Sequence, residues 1–211
     1  LCEMCGLGAR CIVRFAGLMG RAGQSTKFLT GAGEYAATQD AAGVDIAFPP
    51  VDSLAEQMTL EAAGRSWDCH FLVVGVPHAV VWTEELDRIA IQTAGSALRH
   101  HERFKHGANV NFCQPAGDSA IRVRTYERGV EGETLACGTG SVASSIAYCQ
   151  RSGQQGRREI SVTPTSGDVL TVRFELGEQS ASDVHLAGPA KLVFQTRVEW
   201  NAGENTLVPA L

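Results

Sequence analysis

The amino-acid sequence predicts an α+β fold organised as two related lobes, and three observations carry that expectation. Short runs of β-branched and aromatic residues, punctuated by Gly and Pro, recur along the chain and outnumber the helical patterns. Only three stretches repeat apolar residues with a helical period. Two of those helices open on the same kind of turn, Cys5-Gly6-Leu7-Gly8 and Cys137-Gly138-Thr139-Gly140, an internal echo that points to duplication.

After the first turn, Cys11, Ile12, Phe15, Ala16 and Met19 share one face of a 3.6-residue period, with Arg10 and Arg14 on the other and Gly20 as the stop. The apolar face is expected to meet the core and the arginines to meet water. Segment 44–48, before Pro49-Pro50, reads as a strand, and so does 71–74, before Gly75. A helix is expected over 83–101, with Glu84, Glu85, Asp87 and Arg88 as its solvated start and Leu86, Ile89, Ala90, Thr93, Ala94 and Leu98 as its apolar stripe. A strand follows at 121–126. After the second turn, Val142, Ala143, Ile146 and Ala147 again form one helical face. Strands at 160–163, 169–174 and 191–200 complete the pattern, and the tail 201–211 is expected to be poorly ordered.

Bulk properties exclude several classes of function. With 44% of its 211 residues hydrophobic, the chain can bury a substantial core. Its 18 basic and 23 acidic residues leave a net charge of -5, and the one notable basic cluster is Arg157-Arg158, so nucleic acid is not an expected partner. The longest apolar stretch, 71–82, is broken by Gly75, Pro77 and His78 and falls short of the ~18 residues of a membrane helix, so no membrane partner is expected. Seven cysteines, an odd count spread over a mid-sized chain, argue against a disulfide framework and make the cytoplasm the expected location.

Two cysteine turns at helix starts carry specific chemistry. A helix N-terminus offers unpaired N–H groups and partial positive charge, which favours a thiolate and can hold a carboxylate. Adjacent glycines let a ligand approach the backbone, because no Cβ intervenes. If two such turns face one cleft, Cys5 and Cys137 stand on opposite sides of a bound amino acid, the geometry of a two-base racemase. A thiolate removes the α-proton, a thiol returns one on the other face, and preorganised donors stabilise the charge that develops. No Schiff-base lysine motif suggests pyridoxal phosphate, and no cofactor is expected.

These residues resemble a known family. Glu3-Met4-Cys5-Gly6-Leu7-Gly8-Ala9-Arg10-Cys11 is similar to the first cysteine motif of the diaminopimelate epimerases, and the run from Arg124-Thr125-Tyr126-Glu127-Arg128-Gly129 to Cys137-Gly138-Thr139-Gly140 is similar to the second almost throughout. Gly75-Val76-Pro77-His78 and His101-Glu102-Arg103-Phe104, continuing to Asn109, resemble further segments in the same order, so the resemblance runs from Leu1 to about Trp200. It implies a diaminopimelate epimerase-like fold of two pseudo-symmetric lobes, each a sheet wrapped around a central helix, with residues 1–51 plus about 189–211 in the first and 52–188 in the second. It implies interconversion of LL- and meso-diaminopimelate for lysine and peptidoglycan synthesis, without metal or organic cofactor. Cys5 and Cys137 would alternate as base and acid, with His78 and Glu127 tuning the transfers. Asn109, Glu127 and Arg128 would contact the substrate, and the amides of Gly6, Leu7, Gly138 and Thr139 would cradle its carboxylate. The expected partner is a small amino acid, and the expected assembly is a homodimer. Leu7 and Val76 depart from the family, which commonly has asparagine at both places. Family members also carry a segment before the first cysteine, so the first lobe is expected to be incomplete and activity weak or absent.

Apart from the resemblance, blander readings stand. His78 reads as a hydrogen-bonded histidine at a strand end, Glu127 and Arg128 as an exposed pair, and Asn109 as a turn residue. Cys2 and Cys5 form a C-x-x-C, but no second ligand pair follows and no metal site is expected. Cys11, Cys69, Cys113 and Cys149 fit core positions. Two other functions stay open: a proline or hydroxyproline racemase-like enzyme, against which Glu127-Arg128-Gly129 argues, and a non-catalytic fragment that binds substrate without turnover.

Overall fold

The computed structural model describes residues 4–201, 203 and 206–209. Helix α1 (Gly6–Leu18) leads into a meander of β1 (Ser25–Thr30), β2 (Gly33–Gln39) and β3 (Val44–Phe48). Strands β4 (Glu56–Ala62), β5 (Arg65–Val74) and β6 (Val76–Trp82) form a second antiparallel run, followed by a 3-10 turn at Leu86–Arg88 and helix α2 (Ile91–Arg99). Strands β7 (Asn109–Pro115), β8 (Ala120–Glu127) and β9 (Gly132–Thr134) precede helix α3 (Gly138–Arg151), and β10 (Gly156–Pro164), β11 (Leu170–Leu176) and β12 (Ala181–Gly188) return the chain. Strands β13 (Val198–Asn201) and β14 (Thr206–Pro209) pair with each other in a separate two-stranded sheet.

One mixed sheet runs in the order β1-β2-β3-β12-β11-β10-β8-β7-β6-β5-β4, with β9 beside β8. The β6–β7 and β8–β10 pairs are parallel, and each is connected through a helix, as parallel neighbours require. The β3–β12 ladder joins the strands of 1–51 to those of 52–188 in that single sheet. Tight reversals set its hairpins: Ala63 and Gly64, both at positive φ, turn β4 into β5, and Gly75 at φ 69° turns β5 into β6.

Two cores lie on opposite faces of this sheet. On one face the strands curve around α3, packing Val142, Ala143 and Ile146 against Val80, Val123, Val162 and Val172. On the other, α2 covers Trp67, Val81, Val110 and Phe112 with Ile91, Ala94 and Leu98. Strands β6 and β7 therefore lie between helices and are buried on both sides, which accounts for their nearly unbroken apolar runs. Among the described residues no helix is long and apolar enough to cross a membrane.

Several expectations are corrected here. Helix α1 buries Gly6, Ala9, Arg10 and Val13, whereas Cys11, Ile12, Phe15 and Met19 are exposed. The small residues Ala9 and Val13 let the helix lie close against β2 and β3, and Arg10 reaches beneath it to donate from Nη1 to Gly6 O at 3.2 Å. The helix expected over 83–101 is interrupted because Arg124 Nη1 binds the carbonyls of Leu86 (3.0 Å) and Ile89 (3.2 Å), diverting them from a helical ladder. Of the strand expected at 191–200, only Val198–Asn201 forms. The tail is not uniformly irregular, since Thr206–Pro209 pairs with it. Cys2, and with it the C-x-x-C, lies outside the described residues, as do 202, 204, 205, 210 and 211.

Candidate active site

Both Cys-Gly-x-Gly turns adopt the same backbone. Cys5 is the N-cap of α1 at φ -121°, ψ 109°, and Cys137 is the N-cap of α3 at φ -120°, ψ 111°. The two helix starts abut. A Cβ built on Gly138 would stand 2.8 Å from Gly6 Cα, one on Gly6 would stand 3.0 Å from Gly138 Cα, and each would meet Leu186 Cδ2 at 2.9 Å. Only glycine permits this approach, so each motif supplies both the thiol and the means for the other helix to come close. The first-turn amides of both helices lack helical partners and lie at a common junction.

A cleft of about 670 Å³ opens at that junction. Cys5, Gly6, Leu7, Asn109, Glu127, Arg128, Cys137, Gly138 and Thr139 all line it, so the structure brings together every sequence-derived site residue except His78. Met4, Val76, Glu133, Thr134, Leu135 and Ala136 complete the wall; of these six only Val76 is singled out in the sequence, as a place where the family commonly has asparagine. Glu133 is held by two 2.8 Å bonds from Arg124, which keep its carboxyl below the usual range.

The two thiols differ. Cys5 is exposed, and its sulfur accepts the Gly8 amide at 3.4 Å. Cys137 is half-buried and lies 3.6 Å from Thr139 Oγ1. Burial pushes its thiol up to about 11, with the Glu127 charge acting in the same direction and the Thr139 hydroxyl and Gly140 amide opposing. The remaining described cysteines divide in the same way. Cys69, Cys113 and Cys149 are buried and pushed up by burial, Cys69 to about 12 and Cys149 to about 11, whereas Cys11 is exposed, contrary to its expected core position.

Asn109 works on the backbone: its Oδ1 accepts from Arg128 N at 2.8 Å and its Nδ2 donates to Pro77 O at 3.3 Å, tying β7 to both flanking strands at the cleft mouth. Arg128 Nη1 reaches His106 O at 3.4 Å. His78 is fully buried and does not line the cleft. Burial, reinforced by the Arg128 charge, pushes it down to about 3, so the imidazole is neutral. Its Nδ1 lies 3.1 Å from Asn111 Nδ2, a neighbour that sequence reasoning missed because an Asn inside an apolar strand carries no motif signal. Among the described residues no group of three or more His, Cys, Asp or Glu side chains could hold a metal ion.

Comparison with known proteins agrees with this architecture. The family model described as diaminopimelate epimerase matches residues 71–193. Over 199 residues the chain is 40% identical to a diaminopimelate epimerase from Aquifex aeolicus (strain VF5), covering 93% of this chain and 70% of that protein. It is 36% identical to one from Chlorobaculum tepidum over 196 residues, covering 91% of this chain and 73% of that protein. The fold also matches a hydroxyproline epimerase from Agrobacterium vitis, with TM-score 0.67 at 20% identity over 89% of this chain and 65% of that one. A phenazine biosynthesis protein from Bacillus anthracis matches with TM-score 0.67 at 13% identity, over 90% of this chain and 75% of that one.

Proposed function

Because the chain belongs to the diaminopimelate epimerase family, we propose that it inverts an α-carbon of diaminopimelate, interconverting the LL and meso forms, by a two-base reaction between Cys5 and Cys137. The observation that carries this reading is the junction at Gly6 and Gly138, where two N-cap cysteines of matching conformation open on one cleft.

In one direction the Cys5 thiolate takes the α-proton and becomes a thiol, leaving the electron pair on the α-carbon. The Cys137 thiol gives its proton to the opposite face and becomes the thiolate, so the carbon is inverted and the thiols have exchanged states. The reverse reaction exchanges their roles. The resting thiol of Cys137 fits the donor role, since burial holds its proton at neutral pH. Amides of Gly6, Leu7, Gly138 and Thr139 hold the substrate carboxylate and draw charge away from the carbanion. Glu127 and Arg128 contact the far, charged portion of the substrate, and Asn109 keeps the mouth in register. The lobes, 1–51 with about 189–211 and 52–188, supply one thiol each, and a homodimer in the cytoplasm is part of the same proposal.

The test is α-proton exchange in heavy water, followed by NMR with reduced protein and separate samples of LL-diaminopimelate, L-proline and L-hydroxyproline. Exchange with diaminopimelate alone, lost in Cys5→Ala and in Cys137→Ala, is the expected result. Exchange with the cyclic amino acids instead would move the assignment to a proline racemase-like enzyme. Saturable diaminopimelate binding without exchange would mark a binding fragment.

A further inference from the structure

Three strands present alternate side chains to α3. At the top of β6, β7 and β8, Val76, Asn109 and Glu127 line the cleft. Two residues further along each strand, on the same face, stand His78, Asn111 and Thr125, and two further again stand Val80, Cys113 and Val123 of the α3 core; Asn111 is paired with Thr125, whereas His78 is paired with Asn109 and reaches Asn111 diagonally. The middle set, His78, Asn111 and Thr125, is polar, at most 3% exposed, and sits between the cleft and an apolar interior. It is hydrogen-bonded along its length: Thr125 Oγ1 donates to Asn111 Oδ1 at 3.0 Å, and Asn111 Nδ2 meets His78 Nδ1 at 3.1 Å. The helix that carries Cys137 closes over it, since a Cβ on Gly140 would run into Asn111 Oδ1.

We propose that Asn111, itself held by Thr125, is a positioning residue that fixes His78 as the Nε2–H tautomer, leaving a preorganised N–H donor beneath the cleft for an acceptor that arrives with the substrate. Asn111 turns its Oδ1 to the Thr125 hydroxyl and its Nδ2 to His78, and an amide nitrogen only donates, so His78 Nδ1 accepts and the ring proton sits on Nε2. That Nε2 is buried and has no hydrogen-bond partner among the described residues. An orphaned buried donor is costly, and a protein retains one where a ligand completes it. The downward pull on the His78 pKa agrees, since it keeps the ring neutral and the tautomer meaningful. The inference rests on the epimerase reading for its kinetic consequence but not for the tautomer itself.

Long-range 1H–15N correlation on histidine-labelled protein tests it, with the His78 signals identified by their loss in His78→Gln. Protonated Nε2 and bare Nδ1 are expected. A proton on Nδ1, or an imidazolium at neutral pH, overturns the proposal, and this reading needs no substrate, so it separates a failed tautomer from a failed choice of substrate. Asn111→Asp, which can only accept, should draw the proton to Nδ1 and lower kcat ~100-fold, with KM changed less than about threefold, the scale of a lost proton-transfer aid. Thr125→Val should move both readouts in the same direction by a smaller amount. A switched tautomer with unchanged kcat, or a lowered kcat with an unswitched tautomer, would also overturn it.

Discussion

The starts of α1 and α3 share a backbone and differ in their surroundings. Their capping cysteines agree within 2° in φ and ψ, yet α3 buries 12 of its 14 residues inside the sheet, whereas α1 buries only four of 13. The outer side of α1 leaves Ile12 60% and Phe15 57% exposed. The turn is thus a local property, dictated by a cysteine cap and the glycines beside it, while the state of the thiol is a tertiary property. Enclosure raises Cys137, and no comparable enclosure surrounds the exposed Cys5. Matched turns thus hold one exposed and one half-buried thiol.

The harshest way to break this pairing is to part the helices. Gly138→Ala places a methyl against Gly6, and turnover of diaminopimelate should fall at least ~100-fold, because a displacement of about 1 Å at reacting groups costs that much. Denaturant titration should show a stability loss of about 1–3 kcal/mol from the same overpacking. The contrast in burial is tested by truncation: Ile146→Ala should cost about 2–4 kcal/mol, and Ile12→Ala less than about 0.5 kcal/mol.

Proton linkage sharpens the comparison further. A thiol raised in the folded state binds its proton more tightly there than when unfolded. The stability contributed by Cys137 is therefore complete below the ordinary thiol value of 9.0 and is lost as pH rises through about 11. Cys137→Ala should flatten that alkaline decline in thermal melts. For His78 the sign is opposite: its contribution is present above the ordinary 6.5 and is lost as pH falls through about 3, so His78→Gln should lessen the acid decline. The smallest effect is one of order rather than size. Limited alkylation followed by mass spectrometry should modify Cys5 and Cys11 before Cys137, and Cys69 and Cys113 last; uniform modification would contradict the burial contrast.

Much of the site was legible because its chemistry is written in short local motifs. Cys5 and Cys137 announce themselves by the glycines that follow, and segment 44–48 reads as the strand it forms, between Gly43 and Pro49-Pro50. What escaped depends on the tertiary arrangement. Arg10 reads as a solvent residue from its helical period, yet it folds back under α1 to the Gly6 carbonyl. The strand around Val76-Pro77-His78 was hidden by its proline and by the single-residue turn at Gly75. Asn111 and Thr125 are ordinary strand residues in sequence, and they become a polar row only when β7 and β8 pair beneath α3. Helix α2 starts late for the same kind of reason, since Arg124, on a strand distant in sequence, binds the carbonyls of Leu86 and Ile89 just ahead of it.

The central claim, two thiols acting on opposite faces of one carbon, is tested most directly by following the first turnovers of LL-diaminopimelate in heavy water. If Cys5 removes the proton and Cys137 supplies another, the meso product carries solvent deuterium at the inverted carbon while unreacted substrate retains its proton. Product that instead carries the substrate's own proton would mean that a single base works both faces, and would contradict the account.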